Sequence, residues 1–369
     1  MKKNLLFFVA AVGMLALASC SQDTMEMSDN TSVIKFRPSI NGMTRASLIT
    51  TNNISSFNVT AFIDGHGENN YFTNLQMNKS GDTWTSSRKE YWPPTKKLNF
   101  FAYAPTSNIG IVSITPNEQT IKGFEVADKE DDQHELIVAY NAGTKADNEN
   151  SGVALNFKHA LARVDIQAKN ARPNDYEIEV LGVKLVGFKS KADLTFPKMN
   201  GSGTIPSENW KNKTLEKSYY SRKNTKPGKK LSADYNYLLN TWFMPIPQEV
   251  TAWNKTTSKS GAYIALLVRI SKKEADGNLV QLFPKTEGKF AYVAVPISSS
   301  LLPGKAYMYY LTFMVEGAGY IAPDQTNPDI PNDIDPNPGP GGSKVLGGPI
   351  TFTVSVDDWG SATEIHKNL

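Results

Sequence analysis

The most informative reactive group in this chain is its single cysteine, Cys20, which closes the sequence Leu-Ala-Ser-Cys. This order is typical of the lipobox, where a bacterial lipoprotein signal peptide ends and the cysteine thiol is acylated. Two lysines at 2–3 and an apolar stretch over 5–17, too short to span a membrane, precede it. An ordinary secretory signal with a chance cysteine is the alternative. Because charge, apolar stretch and lipobox are in register, we expect residues 1–20 to be a lipoprotein signal peptide and Cys20 to carry lipid such as palmitate.

The lack of a second cysteine limits what the rest of the chain can do. No disulfide, cysteine-ligated zinc site or thiol nucleophile can form, so stability must come from packing. The sequence is 40% hydrophobic and 10% aromatic, which is ample for a core. Its formal charge of +3 falls to +1 when Lys2 and Lys3 leave with the signal peptide. Such a nearly neutral chain, without a long basic run, is not expected to bind nucleic acid.

The four histidines do not form a catalytic or metal site in the sequence. They are far apart and lack metal-type spacing: His66, His134, His159 and His366. His159 lies between apolar segments, which favours a hydrogen-bonded structural role. The sequence has no nucleophile elbow, P-loop or dinucleotide fingerprint, and no helix pattern follows the glycine-rich run at 339–342. We therefore expect no catalytic residue, no metal and no cofactor, and the chain is not expected to be an enzyme.

Two further patterns each have a functional and a structural interpretation. The acidic run at 128–135 could be a calcium loop, but it lacks alternating ligand spacing and contains Lys129, which favours a solvated loop. Four aromatic residues at strand spacing could stack on a glycan, although such spacing is more typical of a sheet core: Tyr307, Tyr309, Tyr310 and Phe313.

The elements that would position any site are strands. Runs rich in apolar, β-branched and aromatic residues recur between turn residues, a pattern typical of a β-sandwich or barrel. The runs are 54–63, 98–103, 135–140, 153–157, 164–168, 177–188, 237–244, 263–270, 290–297, 307–315 and 350–356. The polar segment 141–152 is the expected domain boundary. A stretch at 323–348 rich in Pro, Asn, Asp and Gly predicts a flexible tether.

Both ends of the chain carry a strand with one apolar face. At the C terminus four apolar residues alternate with polar ones: Ile350, Phe352, Val354 and Val356. Near the N terminus the segment 33–40 has a similar pattern, and its Pro38 restricts it to the edge of a sheet. The periodicity fits strand exchange between subunits, and it fits equally two strands that each complete their own domain.

Eight sequence blocks, taken in order, resemble one known family. They include Met-Thr-Arg-Ala at 43–46, Tyr-Trp-Pro at 91–93, the aromatic block at 98–105, the block around His159 at 155–164 and the terminal segment 350–359. With the lipobox and the blocks at 134–139 and 302–307, they are similar to the Bacteroidales fimbrillin family, the subunits of type V pili, and especially to its Mfa-like branch.

The resemblance implies an all-β fold of two tandem transthyretin-like β-sandwich domains, at 46–148 and 149–369. The second would include the tether 323–348 and a terminal strand at 350–358. Residues 21–45 would form a leader that contains the first strand and is removed during maturation.

The resemblance also implies a mechanism and its partners. The precursor would travel as a lipoprotein to the outer-membrane surface, where an extracellular Arg-specific protease would cut between Arg45 and Ala46. Loss of the leader would open a groove, and a neighbouring fimbrial subunit would fill it with its terminal strand, whose donor residues would be Ile350, Phe352, Val354 and Val356. The product would be a fimbrium that serves cell adhesion.

Three alternatives remain open at this point. The chain could be a monomeric surface lipoprotein that binds a ligand or glycan as an adhesin. It could also be a tip subunit, which keeps its terminal strand, or an anchor subunit, which escapes cleavage. The tether favours a donor, whereas the polar tail after Val356 could close the C-terminal domain.

Overall fold

The computed structural model describes residues 32–40, 54–65, 67, 69–199, 204–221, 227–256 and 260–359. Strands make up nearly all of its regular structure, and the one α-helix, Lys145–Asn148, lies within the turn-rich segment 141–152. The first nine strands are β1 (Phe36–Ile40), β2 (Ser56–Ile63), β3 (Phe72–Ser80), β4 (Thr83–Ser86), β5 (Leu98–Ala104), β6 (Ile111–Ile114), β7 (Gln119–Glu125), β8 (Ile137–Gly143) and β9 (Val153–His159).

Thirteen strands follow in the rest of the described chain. They are β10 (Arg163–Asn170), β11 (Tyr176–Thr195), β12 (Trp210–Tyr220), β13 (Lys229–Lys230), β14 (Asn236–Tyr237), β15 (Glu249–Val250), β16 (Tyr263–Lys273), β17 (Leu279–Phe283), β18 (Ala291–Pro296), β19 (Ser299–Ser300), β20 (Lys305–Phe313), β21 (Tyr320–Ile321) and β22 (Thr351–Asp358). Short 3-10 turns lie at Glu130–Asp132, Ser207–Asn209 and Pro331–Asp333.

The N-terminal half is built on a seven-stranded sheet in the order β1-β9-β8-β5-β2-β3-β4. The sheet is strongly curled, because Phe57 on β2 and Phe157 on β9 are three strands apart yet their rings are 5.3 Å from each other. At about 4.8 Å between neighbouring strands, a flat sheet would separate them by roughly 14 Å. Its concave face encloses a core of buried aromatic and aliphatic residues that includes Phe57, Phe100 and Phe157.

The C-terminal half contains a nine-stranded sheet along β21-β18-β16-β11-β7-β6, with β12 and β13 paired to β11 and β17 paired to β16. A four-stranded sheet has the order β14-β10-β20-β22. Strands β6 and β7 come from the N-terminal part of the sequence, and β9 lies in the seven-stranded sheet although it follows the expected boundary at 148. The largest core joins these sheets, and Phe101 of β5 packs edge-on against Phe196 at 5.7 Å.

The segment 323–348 packs on the nine-stranded sheet, so the expectation of a flexible tether is corrected. Ile330 and Ile334 are buried in the core on the outer face of this sheet, and Val345 is 4% exposed. Composition suggested that the segment could not bury enough apolar surface. Its few apolar side chains are placed where they can be buried, since Ile330 and Ile334 join the core on the outer face and Val345 joins the largest core.

An ion pair also ties this segment to the sheet. Asp324 Oδ2 lies 2.9 Å from Nζ of Lys184, whose side chain is 3% exposed. Burial lowers the pKa of Lys184, although the Asp324 charge opposes that effect. Burial raises the pKa of Asp324, but hydrogen bonds from Thr326 and the charge of Lys184 outweigh it, so its pKa lies below the usual value.

Most of the predicted runs are strands in the structure. The run 98–103 is β5, buried at every position, and 263–270 lies within β16. The run 237–244 differs, because only Asn236–Tyr237 forms a strand there and Phe243 contributes an isolated bridge to Val164.

Candidate assembly site

Strand β1, in the segment expected to be a removable leader, lies between two other segments. Its five residues pair in parallel with 153–157 of β9. On its other side the backbone nitrogen of Ile34 donates to the oxygen of Glu90 at 2.8 Å, and that of Trp92 donates to the oxygen of Ser32 at 3.0 Å. The segment 32–40 therefore closes the gap between β9 and the chain that follows β4.

Three side chains of this segment fill the concave core. Ile34, Phe36 and Ile40 are each less than 9% exposed and belong to the same buried cluster. The ring of Phe36 packs edge-on against Phe100 at 5.7 Å, and Trp92 packs against Phe100 at 5.6 Å. Removal of the segment would expose this cluster and the free backbone edge of β9.

The alternating direction of the backbone N–H and C=O groups explains why a proline is tolerated at position 38. The oxygen of Lys35 accepts from the nitrogen of Val153 at 2.8 Å, so odd-numbered residues of the segment direct their backbone groups to β9. By alternation, even-numbered residues such as Pro38 face away from β9, where a missing N–H breaks no bond in the ladder. The Ser39 hydroxyl donates to Oδ1 of Asn156 at 2.5 Å on the β9 side.

The residues predicted to be lipidated or cut, Cys20, Arg45 and Ala46, lie outside the described residues. The described chain stops at Ile40, the last residue of β1, and resumes at Ile54, which is buried in the same cluster as Phe36.

The terminal strand β22 lies at the edge of the four-stranded sheet. It pairs antiparallel with β20 at eight positions. Ile350 just before it and Trp359 just after it are buried at 3% and 0% exposure. Between them the predicted apolar face is half uncovered, with exposures of 39% at Phe352, 45% at Val354 and 50% at Val356. The strand is thus fixed at its two ends and poorly buried in its middle.

A buried aromatic stack holds the C-terminal end of β22. The rings of Trp359 and His159 are 4.9 Å apart with planes at 1°. His159 Nδ1 contacts the carboxylate of Glu135, and the backbone nitrogen of Trp359 donates to the oxygen of Gly304 at 2.9 Å. Sequence reasoning assigned His159 a structural role but did not find its partner, because 200 residues separate the two rings and no local pattern links them.

The other candidate sites are structural in the described residues. No group of three His, Cys, Asp or Glu side chains within the described ranges could hold a metal ion. In the acidic run, Glu130 is buried and accepts a hydrogen bond from the Thr241 hydroxyl at 3.0 Å, a contact within the protein. Of the aromatic residues proposed to stack on a glycan, Tyr307, Tyr309 and Phe313 are buried, and burial raises the pKa of both tyrosines.

In the part of the chain that the structure describes, no helix has the length and apolarity that a membrane crossing would require.

The chain is similar to solved structures from Bacteroides species. A fimbrial protein from Bacteroides vulgatus is 17% identical, with a TM-score of 0.56, and the match covers 89% of this chain and 100% of that one. A candidate cell adhesion protein from Bacteroides ovatus is 14% identical over 89% and 98% of the two chains, with a TM-score of 0.46. At these identities the first likeness establishes an all-β fold of the fimbrial protein's kind. No curated protein matches the sequence.

The family is established by the sequence profile. The fimbrillin-like profile matches residues 44–323, which is more than half of the chain. This chain therefore belongs to the fimbrillin-like family, as the sequence blocks predicted.

Proposed function

We propose that this protein is a structural subunit of a fimbria that serves cell adhesion, assembled by leader removal and strand exchange. One observation carries the exchange step: the two terminal strands share a residue pattern, with three of seven positions identical. The segment 34–40 reads Ile-Lys-Phe-Arg-Pro-Ser-Ile, and 350–356 reads Ile-Thr-Phe-Thr-Val-Ser-Val. Isoleucine, phenylalanine and serine recur at the same spacing, so the terminal strand of one subunit has the side chains that the leader places in the groove.

The likeness defines a register for the exchanged strand. Phe352 would take the place of Phe36 against Phe100, and Ser355 would take the place of Ser39 beside Asn156. Val354 would replace Pro38 and bring a backbone N–H that the leader lacks. Each fully buried apolar side chain contributes about 1.5–3 kcal/mol, so this joint would be strong before the cost of ordering is subtracted.

The proposed pathway begins at the membrane. Lipid on Cys20 would anchor the precursor in the outer membrane, and an extracellular Arg-specific protease would cut between Arg45 and Ala46 at the cell surface. The contact is head to tail, so it extends a filament of fimbrial subunits and does not close a dimer.

Cysteine trapping tests the register. Ser355→Cys combined with Asn156→Cys should give a ladder of disulfide-linked subunits on non-reducing gels, because the matching pair, Ser39 and Asn156, is in hydrogen-bond contact. Val354→Cys with Asn156→Cys is the matched control, since residue 354 would face the opposite side of the strand. Cross-linking in the control instead of the test pair would refute the register.

N-terminal sequencing tests the cut. Wild-type protein from the cell surface should begin at Ala46, and Arg45→Ala should block both processing and polymers. Arg37→Ala, at an exposed position of β1, is the control and should be processed normally. Polymers formed by unprocessed Arg45→Ala would contradict the proposal.

A tip subunit is the second candidate, and one observation favours it. The terminal strand is fully paired with β20, and Trp359 is completely buried at its end, as expected of a strand that remains in its own subunit. The trapping experiment separates the two roles, because a tip subunit accepts a strand but donates none.

A further inference from the structure

Strand β9 carries contacts to both ends of the chain. Its residues 153–157 pair with the leader strand, and its last residue, His159, stacks on Trp359 after the terminal strand. At about 3.3 Å per residue, Phe157 and His159 are roughly 7 Å apart along this strand. One strand therefore touches the segment that would be removed and the segment that would be donated.

We call the contacts among His159, Glu135, Gly304 and Trp359 the terminal latch. The closed latch carries a cost in free energy. His159 and Trp359 are 7% and 0% exposed, and neither His159 Nε2 nor Trp359 Nε1 has a hydrogen-bond partner. Buried nitrogens without partners carry a desolvation penalty that water relieves. Opening the latch would hydrate both nitrogens, so the closed state is less favourable than its complete burial suggests.

The leader and β8 hold different parts of β9. The residues 153–157 pair with β1, whereas at the other end Lys158 pairs with Val138 and His159 with Ile137 of β8. The Asn141 side chain spans part of the remaining gap by donating to the oxygen of Ala154 at 2.6 Å. Without the leader, β9 becomes an edge strand, and edge strands with few ladder bonds open locally more readily.

We infer that β9 couples leader removal to release of the terminal strand. The docked leader keeps residues 153–157 of β9 in place, and the same strand ends at His159, which keeps Trp359 and β22 on their own subunit. When the leader departs, β9 loosens, the terminal latch opens and the terminal strand becomes free to be donated. This coupling rests on the proposed function for its purpose, but it can be measured in the unprocessed chain without any polymer.

Hydrogen exchange followed by mass spectrometry tests the coupling in the full chain in detergent. Phe36→Ala weakens the leader, and Phe72→Ala is a matched control, since both rings are buried in the same core and pack on Phe100, at 5.7 and 6.3 Å. We expect Phe36→Ala to accelerate exchange at least tenfold in 153–159 and in 351–359, and the control to leave 351–359 unchanged. Equal acceleration by both variants, or none in 351–359, would overturn the coupling.

The reciprocal experiment starts from the latch. Since coupling between two sites is mutual, Trp359→Ala should accelerate exchange in 351–358 and also in the leader strand 36–40. Trp359→Phe keeps a ring in the stack and should give a smaller effect of the same sign, which guards against a variant that fails to fold. Phe352→Ala, on the same strand but half exposed, should leave the leader protected.

The two proposals can fail separately. A leader strand that stays fully protected in both Trp359 variants while 351–358 exchanges freely would show that the coupling does not exist. Trapped polymers observed alongside that result would leave strand exchange intact.

Discussion

Phe352 would be buried more deeply in the groove of a neighbouring subunit than it is in its own subunit. The effect of its replacement on stability should therefore differ between the two states. On β22 it is 39% exposed and lies 6.3 Å from Tyr309. In the proposed joint it takes the place of Phe36, which is 6% exposed. Replacement of a fully buried phenylalanine by alanine costs about 3–5 kcal/mol. We expect Phe352→Ala to lower the free energy of unfolding of the unassembled chain by about 1 kcal/mol and that of each joint by about 3 kcal/mol.

Two assays separate these effects. Urea unfolding of the unassembled chain gives the first value, and the subunit concentration at which polymers dissociate gives the second. At about 1.4 kcal/mol per tenfold change, the dissociation constant of the joint should rise roughly 100-fold. Thr353→Ala, whose side chain would face away from the groove core, is the control and should change neither value appreciably.

The complementary variant sharpens the test. Phe36→Ala should destabilise the unprocessed chain by about 3 kcal/mol, yet leave finished polymers unaffected, because in the proposed pathway this residue would depart with the leader. The reasoning fails if Phe352→Ala destabilises the unassembled chain as much as Phe36→Ala does. It also fails if Phe352→Ala leaves the joint unchanged.

Three further outcomes are expected. Gly152→Ala should destabilise the unprocessed chain by about 1–2 kcal/mol in urea, because Gly152 has φ +75° and a new Cβ would lie 3.2 Å from the oxygen of Lys35 on the leader. Asp324→Asn should cost about 1–2 kcal/mol by leaving the Lys184 charge unpaired. Because the pKa of Asp324 is lowered, its contribution is present above the ordinary carboxyl range and disappears as pH falls, so the variant should lose less stability between pH 6 and 3 in thermal melts. Deletion of 350–369 should abolish polymers on gels, and unchanged polymers would exclude the donor role.

Continuous apolar runs made much of the fold predictable. The runs that became β5 and β16 are buried on both faces, and short continuous apolar runs between turn residues are typical of strands in a covered sheet. Strand β12 was not predicted, since its Lys, Asn, Thr and Glu residues are mostly exposed and it is held by backbone pairing with β11. Backbone hydrogen bonds leave no trace in side-chain periodicity.

Side-chain periodicity predicted the candidate site in part. The alternation in 33–40 and 350–356 identified both terminal strands, but it could not show that the first is buried and the second half exposed, because burial depends on neighbours distant in sequence. The segment 323–348 shows the limit of composition, since Ile330 and Ile334 are few in number but well placed.

The covalent attachment of the leader strand would also explain why a donor strand with a similar sequence does not enter the groove before the leader is cut. The leader is joined to Ile54 by the short connection 41–53, so before any cut its local concentration at the groove is on the order of millimolar. A donor strand arriving from another subunit at micromolar concentration would compete at a disadvantage of about a thousandfold, even with equal contacts. The proposed cleavage would remove this advantage and let the peptide escape by dilution. The direction of assembly would then be decided by one broken covalent bond, and the two strands would not need to differ in affinity.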